Sequence, residues 1–354
     1  MTKTAVVLFN LGGPDRLDAV QPFLFNLFND PNIVDMPGPA RGLLARFIAK
    51  RRGPVSREIY GRIGGKSPLL ELTMRQRDAL TEALSDLEDV RVFVSMRYWH
   101  PMSDEIAAAV ADYGPDEIIL LPLYPQFSRT TAGSSLRDWR RAAGKAGLRA
   151  PSRAICCYPT AAGLVAGLAE LVRKGISEAA GGAARVRVLF SAHGLPRRVV
   201  ARGDPYQWQV EQTAAALVSR LGIEGLDWVV CYQSRVGPLR WIGPATDAEI
   251  VRAGAAGLGV VVVPIAFVSE HSETLVELDI DYRDLAADRG VPVFVRVPAL
   301  GTDPAFIDAL AHLVREAREQ GVALCSQSGG RYCPAGLAGC AFAQARAPCA
   351  TEAA

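Results

Sequence analysis

The sequence has almost no excess of charge: across 354 residues, 39 Lys and Arg stand against 37 Asp and Glu, for a formal net charge of +2. A protein that binds nucleic acid electrostatically concentrates basic residues, so the composition excludes a globally basic binder. Long hydrophobic runs are missing too. The longest, around residues 259–268, falls far short of the ~18–20 apolar residues that span a bilayer. The apolar run at 5–9 is broken by Asn10 and Gly12-Gly13-Pro14 too early for a secretory signal, so the expected location is the cytoplasm. Nucleotide fingerprints fail in the same region. Gly12-Gly13 does not extend to spaced glycines, and the glycine a phosphate loop needs five positions before Gly65 is Tyr60. No G-x-S-x-G elbow offers an acyl-transfer serine.

What is present is material for a core. Hydrophobic residues make up 49% of the chain and charged residues 21%, which excludes disorder as the main state. Short β-branched runs at 4–9, 90–96, 117–121, 153–157, 186–190, 228–231, 259–264 and 293–297 alternate with Ala/Leu/Arg-rich helical stretches. That alternation predicts an α/β protein with buried parallel strands. The first four and last four strands each fit one doubly wound, four-stranded Rossmann-like sheet. The expected domains are 1–160 and 161–302, with a boundary near 159–164 and a cleft between them. A helix at 303–324 should pack back between them, ahead of a cysteine-rich tail at 325–354.

In open parallel sheets ligands bind beyond the carboxyl ends of the strands. The segments following these strands are polar, aromatic and rich in Gly and Pro: Asn10–Pro14, Arg97-Tyr98-Trp99-His100-Pro101, Tyr124–Ser128, Ser191–Pro196, 233–238 and Phe267–His271. After the apolar strand at 259–264, Glu270, Glu273, Glu277 and Asp281 recur at spacings of three and four. On an α-helix such carboxylates form a ladder on one face and repel by a few tenths of a kcal/mol per pair, a cost that a cation or a shared proton removes. A solvated charged face is the alternative. Of only four histidines, His193 lies in a turn directly after a strand, flanked by Gly194 and Pro196. Imidazole and carboxylate together suit a borderline divalent ion such as Fe2+, and imidazole is the commonest general base near neutral pH. His193 with Glu273 is the favoured pair.

The motifs LFNLGGP, RIGGKSP, MRYWHP, LYPQFS, TTAGSSL, SAHGLP, RGDPY, QSRVGPLRWIGP and PIAFVSEHSETLVELDIDY, in that order from about Ala5 to Tyr282, resemble the signature segments of ferrochelatase. That family inserts Fe2+ into a porphyrin to make haem. The resemblance implies two Rossmann-like domains enclosing a porphyrin cleft, with His193 and Glu273 as the catalytic and iron-binding pair facing the macrocycle from opposite walls. It places Leu11, Arg97, Tyr98, Tyr124, Trp241, Phe267 and His271 on the porphyrin-contacting surface, although some members have methionine in place of Leu11. Glu270, Glu277 and Asp281 would form an iron or proton path. The expected reaction is protohaem formation from protoporphyrin IX; coproporphyrin III as substrate, or a non-catalytic tetrapyrrole carrier, are the alternatives.

Some ferrochelatases carry a [2Fe–2S] cluster near the C-terminus, and the tail CSQSGGRYCPAGLAGCAFAQARAPC resembles such a segment. Its spacing, C-x7-C-x6-C-x8-C, lacks the C-x2-C pair of common zinc sites. It also departs from the animal pattern, because Arg129 and no cysteine occupies the segment where an upstream ligand would lie. The expected ligands are Cys157, Cys325, Cys333 and Cys340, with Cys349 in reserve and incidental thiols as the alternative; Cys231 reads as core. The stretch 40–52, with Leu43, Leu44, Phe47 and Ile48 among Arg41, Arg46, Lys50, Arg51 and Arg52, reads as a basic amphipathic helix suited to peripheral membrane contact or to plain packing.

Overall fold

The computed structural model describes residues 2–235, 237 and 239–345. Its strands are β1 (Thr4–Asn10), β2 (Val90–Met96), β3 (Glu117–Pro122), β4 (Ser152–Ile155), β5 (Val186–His193), β6 (Asp227–Gln233), β7 (Gly259–Pro264), β8 (Phe294–Arg296) and β9 (Leu324–Cys325). The first eight fall on the predicted apolar runs, shifted by a few residues at their ends. Every residue of β1, β3 and β7 is buried, as befits parallel strands covered by helices on both faces.

One sheet has the order β2-β1-β3-β4-β9 and the other β6-β5-β7-β8, with all neighbours parallel. The first sheet therefore has five strands rather than four. The added strand, β9, comes from near the C-terminus and pairs Ala154 with Leu324 and Ile155 with Cys325. Two residues are too few to show any periodicity, which is why sequence reading passed over it. The first four strands of each sheet share one pattern, with the first strand between the second and the third. Chain direction across the sheet reverses there, opening a crevice at the carboxyl ends of β1/β3 and of β5/β7.

The helix Pro304–Gln320 begins as its sequence indicates. Asp303 caps it by accepting the Phe306 N–H at 3.1 Å, Pro304 occupies the first turn, and Gly321 ends it in the left-handed region. It packs on the helices Ala162–Ala180 and Leu69–Ala83. Gly163 makes that approach possible, since a Cβ there would lie 2.0 Å from the Ala305 carbonyl oxygen. One hydrophobic core runs through these helices, from Val6 and Leu8 of β1 to Phe190 of β5 and Val261 of β7.

The basic helix is longer than predicted, spanning Gly38–Gly61. It packs on the helix Val20–Phe28 through small residues: Ala45, Ala49 and Gly53 are buried, whereas Leu43 and Phe47 are 68% and 63% exposed. The predicted apolar face is thus turned outward at two of its four positions, with Leu44 and Ile48 half-buried. No helix among the described residues is long and apolar enough to cross a membrane.

Candidate active site

β5 ends at His193, and the chain after its neighbour β7 turns into a π-helix, Glu273–Asp281. Such wide turns are rare and concentrate at functional sites. His193 Nδ1 lies 2.9 Å from Glu273 Oε2, and the two side chains are 39% and 26% exposed. Both therefore sit at the carboxyl end of the second sheet and touch, which overturns the expectation that they face the macrocycle from opposite walls. Adjacent parallel strands deliver their C-terminal residues to the same crevice.

Burial resists charge on His193, but the charge and hydrogen bond of Glu273, with Glu277 beyond, outweigh it and raise the imidazole pKa. Burial likewise opposes ionisation of Glu273, yet His193, His271 and Ser234 bring its pKa down to about 2. A carboxylate held ionised can only accept, so Nδ1 of His193 carries the proton and Nε2 is left as the basic nitrogen.

Glu277 is held differently. Ser234 presents both its backbone N–H, at 2.7 Å, and its hydroxyl, and Tyr282 donates its phenol at 3.0 Å. Ser234 has φ +59, in the left-handed region, and this backbone turn aims both donors at one carboxylate. Burial and the negative charge of Glu273 raise the Glu277 pKa, so this group is suited to hold a proton. The remaining acids of the predicted ladder have other partners. Glu270 is bound by Arg296 at 2.6 Å and by the Ala299 N–H at 3.0 Å, and Asp281 pairs with Arg62 at 2.6 Å.

The expected porphyrin contacts divide. Leu11, Arg97, Tyr124, Trp241 and Phe267 are partly exposed. Gly194 backs directly onto the Trp241 ring, since a Cβ there would come within 3.4 Å of it. Tyr98 is buried, with its phenol on Asp30 at 2.7 Å, so its ring supports the loop rather than lining a surface. His271 is also buried, stacked on Phe267, and burial lowers its pKa. Its Nδ1 accepts the Glu273 N–H at 3.4 Å, and its Nε2 has no protein partner.

Several participants were not legible in advance. Tyr60 reaches from the helix Gly38–Gly61 to within 3.5 Å of the Ser272 hydroxyl, and burial, aided by the charge of Glu273, raises its pKa to about 12. Asp30 is fully buried and accepts from Arg97 at 3.1 Å as well as from Tyr98 and Ser134. Its only sequence signal was a charge after an apolar helix.

The cysteines are rearranged relative to expectation. Cys156 and Cys157 are 3.4 Å apart at sulfur, and the Cys333 sulfur accepts the Gln209 amide N–H at 3.1 Å. Cys325 is not with them. It pairs in register with Ile155, so it shares the sheet face of Ile155, and its thiol points to the Ala154 carbonyl at 3.6 Å. Cys231 is buried in a strand as expected, and Cys349 lies outside the described residues. No three His, Cys, Asp or Glu side chains among the described residues are placed around one point as a single metal ion requires.

The fold is similar to that of SirB from Bacillus subtilis, solved with Fe3+, at a TM-score of 0.54 and 13% identity over 91% of this chain and 98% of that one. A sirohydrochlorin chelatase SirB from Bacillus subtilis subspecies spizizenii, in complex with cobalt, matches at a TM-score of 0.51 and 12% identity over 90% and 96%. The two sheets thus form a chelatase fold. A family model described as ferrochelatase matches residues 3–318. Curated ferrochelatases of Phenylobacterium zucineum and Caulobacter vibrioides are 52% and 50% identical, each over 96% of this chain and over 98% and 97% of their own lengths. The chain belongs to the ferrochelatase family, and so to the metal chelatases, which are lyases.

Proposed function

We propose that the chain inserts Fe2+ into protoporphyrin IX to form protohaem, with His193 as the base and Glu273 as its partner. The observation that supports this reading is the 2.9 Å contact between Nδ1 of His193 and Glu273 at the carboxyl ends of β5 and β7. Insertion exchanges two pyrrole N–H protons for one Fe2+. Nε2 of His193 accepts one pyrrole proton, Glu273 stabilises the imidazolium that results, and loss of that proton to the path beyond frees Nε2 to accept the second. A well-placed base of this kind contributes about 10²–10⁴ in rate. Glu277, whose pKa is raised, takes the proton onward. Glu270 and Asp281, each committed to an arginine, shape the path rather than carry charge along it.

Leu11, Arg97, Tyr124, Trp241 and Phe267 surround the macrocycle in this reading, and the buried His271 backs Phe267. The division into 1–160 and 161–302, with the helix and tail beyond, draws support from β1–β4 and β5–β8 lying on either side of it, although β9 of the tail joins the first sheet. Residence in the cytoplasm with peripheral membrane contact draws support from the helix Gly38–Gly61, which carries six basic residues and one acid and exposes Leu43 and Phe47. A [2Fe–2S] cluster belongs to the same reading. What supports it is donor type alone: Cys157, Cys333 and Cys340 are buried thiols, although no three such side chains among the described residues are placed as a metal site requires. A cluster bound there would cross-link the C-terminal segment to the first sheet.

Anaerobic Fe2+ insertion followed by absorbance, with protoporphyrin IX and coproporphyrin III compared at equal concentration, tests the substrate. The proposal requires the higher kcat/KM with protoporphyrin IX; faster turnover of coproporphyrin III would replace it.

A further inference from the structure

We infer that Gln76 is a positioning residue for iron insertion: from the helix Leu69–Ala83, its buried amide fixes the segment after β7 that carries Phe267, His271 and Glu273. This rests on the reading of His193 and Glu273 above and deepens it by naming what sets their place against the first sheet.

The buried stripe of that helix is Leu69, Thr73, Gln76 and Leu80, at helical spacing. Thr73 and Gln76 are polar, and a polar side chain on a core-facing stripe needs bonded partners. Gln76 is fully buried. Its Nε2 donates to the Val268 carbonyl at 2.9 Å and to the Gly301 carbonyl at 2.8 Å, while its Oε1 accepts the Ser269 hydroxyl at 2.9 Å. A primary amide carries two N–H donors and an acceptor oxygen in one plane. All of these functions are used here. Glu has the same shape without the donors, and Met fills the same space with none of the three.

The grip reaches Glu273 through a short, internally bonded stretch. The Gly301 N–H also binds the Val268 carbonyl, at 3.0 Å, and Glu270 accepts from Arg296 and from the Ala299 N–H. The segments 268–270 and 296–301 are thereby fastened to each other, and Gln76 bonds to both. Beyond Ser269, Thr274 Oγ1 accepts the His271 N–H at 2.9 Å, and the Glu273 N–H turns back to His271 Nδ1 at 3.4 Å. A displacement at Ser269 therefore passes to the 2.9 Å contact between Glu273 and His193. Misplacing a reacting group by about 1 Å costs as much as about 10²-fold in rate.

The second sheet makes a reciprocal contact. The helix Tyr206–Leu221 leads into β6 as Leu69–Ala83 leads into β2, and β6 and β2 hold matching places beside β5 and β1. From it the fully buried Gln209 accepts the N–H of Phe127, in the segment after β3, at 2.7 Å. Thr213, one turn on, accepts the Gln126 amide N–H at 2.9 Å. Each of these helices thus holds the strand-end segment of the other sheet by a buried amide. The consequences differ, because the segment after β7 leads to Glu273 and the one after β3 carries Tyr124.

The test is anaerobic Fe2+ insertion by full-length Q76M, S269A, S269T and L80V, with porphyrin affinity from fluorescence quenching and the dichroism that the site induces in bound porphyrin. Q76M, close to glutamine in volume, should lower kcat by about 10–100-fold and alter the dichroism, with porphyrin affinity within about threefold of wild type. S269A removes one hydrogen bond and guards against a misfolded Q76M; its kcat should fall by about three- to tenfold. S269T keeps the hydroxyl and should recover the wild-type rate within about twofold. L80V, a core change on the same stripe, should lower the urea midpoint and leave kcat and dichroism unaltered. Wild-type kcat in S269A or in folded Q76M would overturn the assignment of Gln76. An equal loss of kcat in L80V would overturn it too, because reduced stability would then account for the effect. Failure of the underlying reading is seen separately, as a wild-type insertion rate in His193→Ala whatever the Gln76 variants do.

Discussion

Ser234 gives Glu277 two hydrogen bonds from a single residue, one from its backbone N–H at 2.7 Å and one from its hydroxyl, and it does so from a left-handed backbone turn directly after β6. Glu277 lies one helical step beyond Glu273, and the electrostatics of the two carboxylates diverge. Glu273 is held ionised by His193, and Glu277 is pushed towards its protonated form. In the proposed reading these two carboxyl groups, with opposed pKa shifts, pass a proton in sequence.

Glu277→Gln keeps a group able to accept from Ser234 but removes the titratable proton. We expect kcat to fall by about tenfold or more, with KM for porphyrin little changed, because the residue acts on proton transfer rather than on binding. Steady-state kinetics separate the two; an unchanged kcat would remove Glu277 from the path.

The pairing of His193 with Glu273 has a defined pH signature. The folded pKa of His193 is raised, so its share of stability is present below the ordinary value of 6.5 and is lost as pH rises through the folded value. Glu273 behaves oppositely. Its share is present above 4.5 and is lost as pH falls towards about 2. Because the base must be neutral to act, the acid limb of the rate profile should lie above 6.5. Glu273→Gln should move that limb to lower pH and lower the maximum rate. NMR titration of His193 in both proteins checks the shift directly.

Asp30 ties the loop after the helix Val20–Phe28 to Arg97, Tyr98 and Ser134. Removing it as Asp30→Ala leaves the nearly buried Arg97 guanidinium short of a partner, and such losses cost about 3–5 kcal/mol. Urea denaturation should show a loss in that range, and a change below about 1 kcal/mol would mean that the loop is held by packing alone.

Phe47 offers a contrast. It is 63% exposed, so Phe47→Asp should leave urea stability nearly unchanged, while sedimentation with vesicles rich in anionic lipid should fall. Equal sedimentation of variant and wild type would return this helix to ordinary packing.

Much of this was legible in the sequence because local pattern and global fold agree. Eight apolar runs became eight strands, and His193 and Glu273, singled out because each follows such a run, lie in contact. What escaped depended on geometry without a local signature. The two-residue β9 has no periodicity, and its register decides that Cys325 faces away from the other thiols. The left-handed turn at Ser234 occupies a residue type that does not announce it. The basic helix was found, but its buried stripe is alanine and glycine, too weak a pattern to show that Leu43 and Phe47 would point outward while Leu44 and Ile48 are half-buried. Tyr98 followed its strand as predicted, yet Asp30, nearly seventy residues earlier, turned its ring to the interior.

The most direct test of the central claim is anaerobic single-turnover Fe2+ insertion by His193→Ala, with porphyrin binding measured in parallel by fluorescence quenching. We expect binding within a few-fold of wild type and insertion slowed by about 10²-fold or more. Insertion at the wild-type rate would contradict the assignment of His193 as the base.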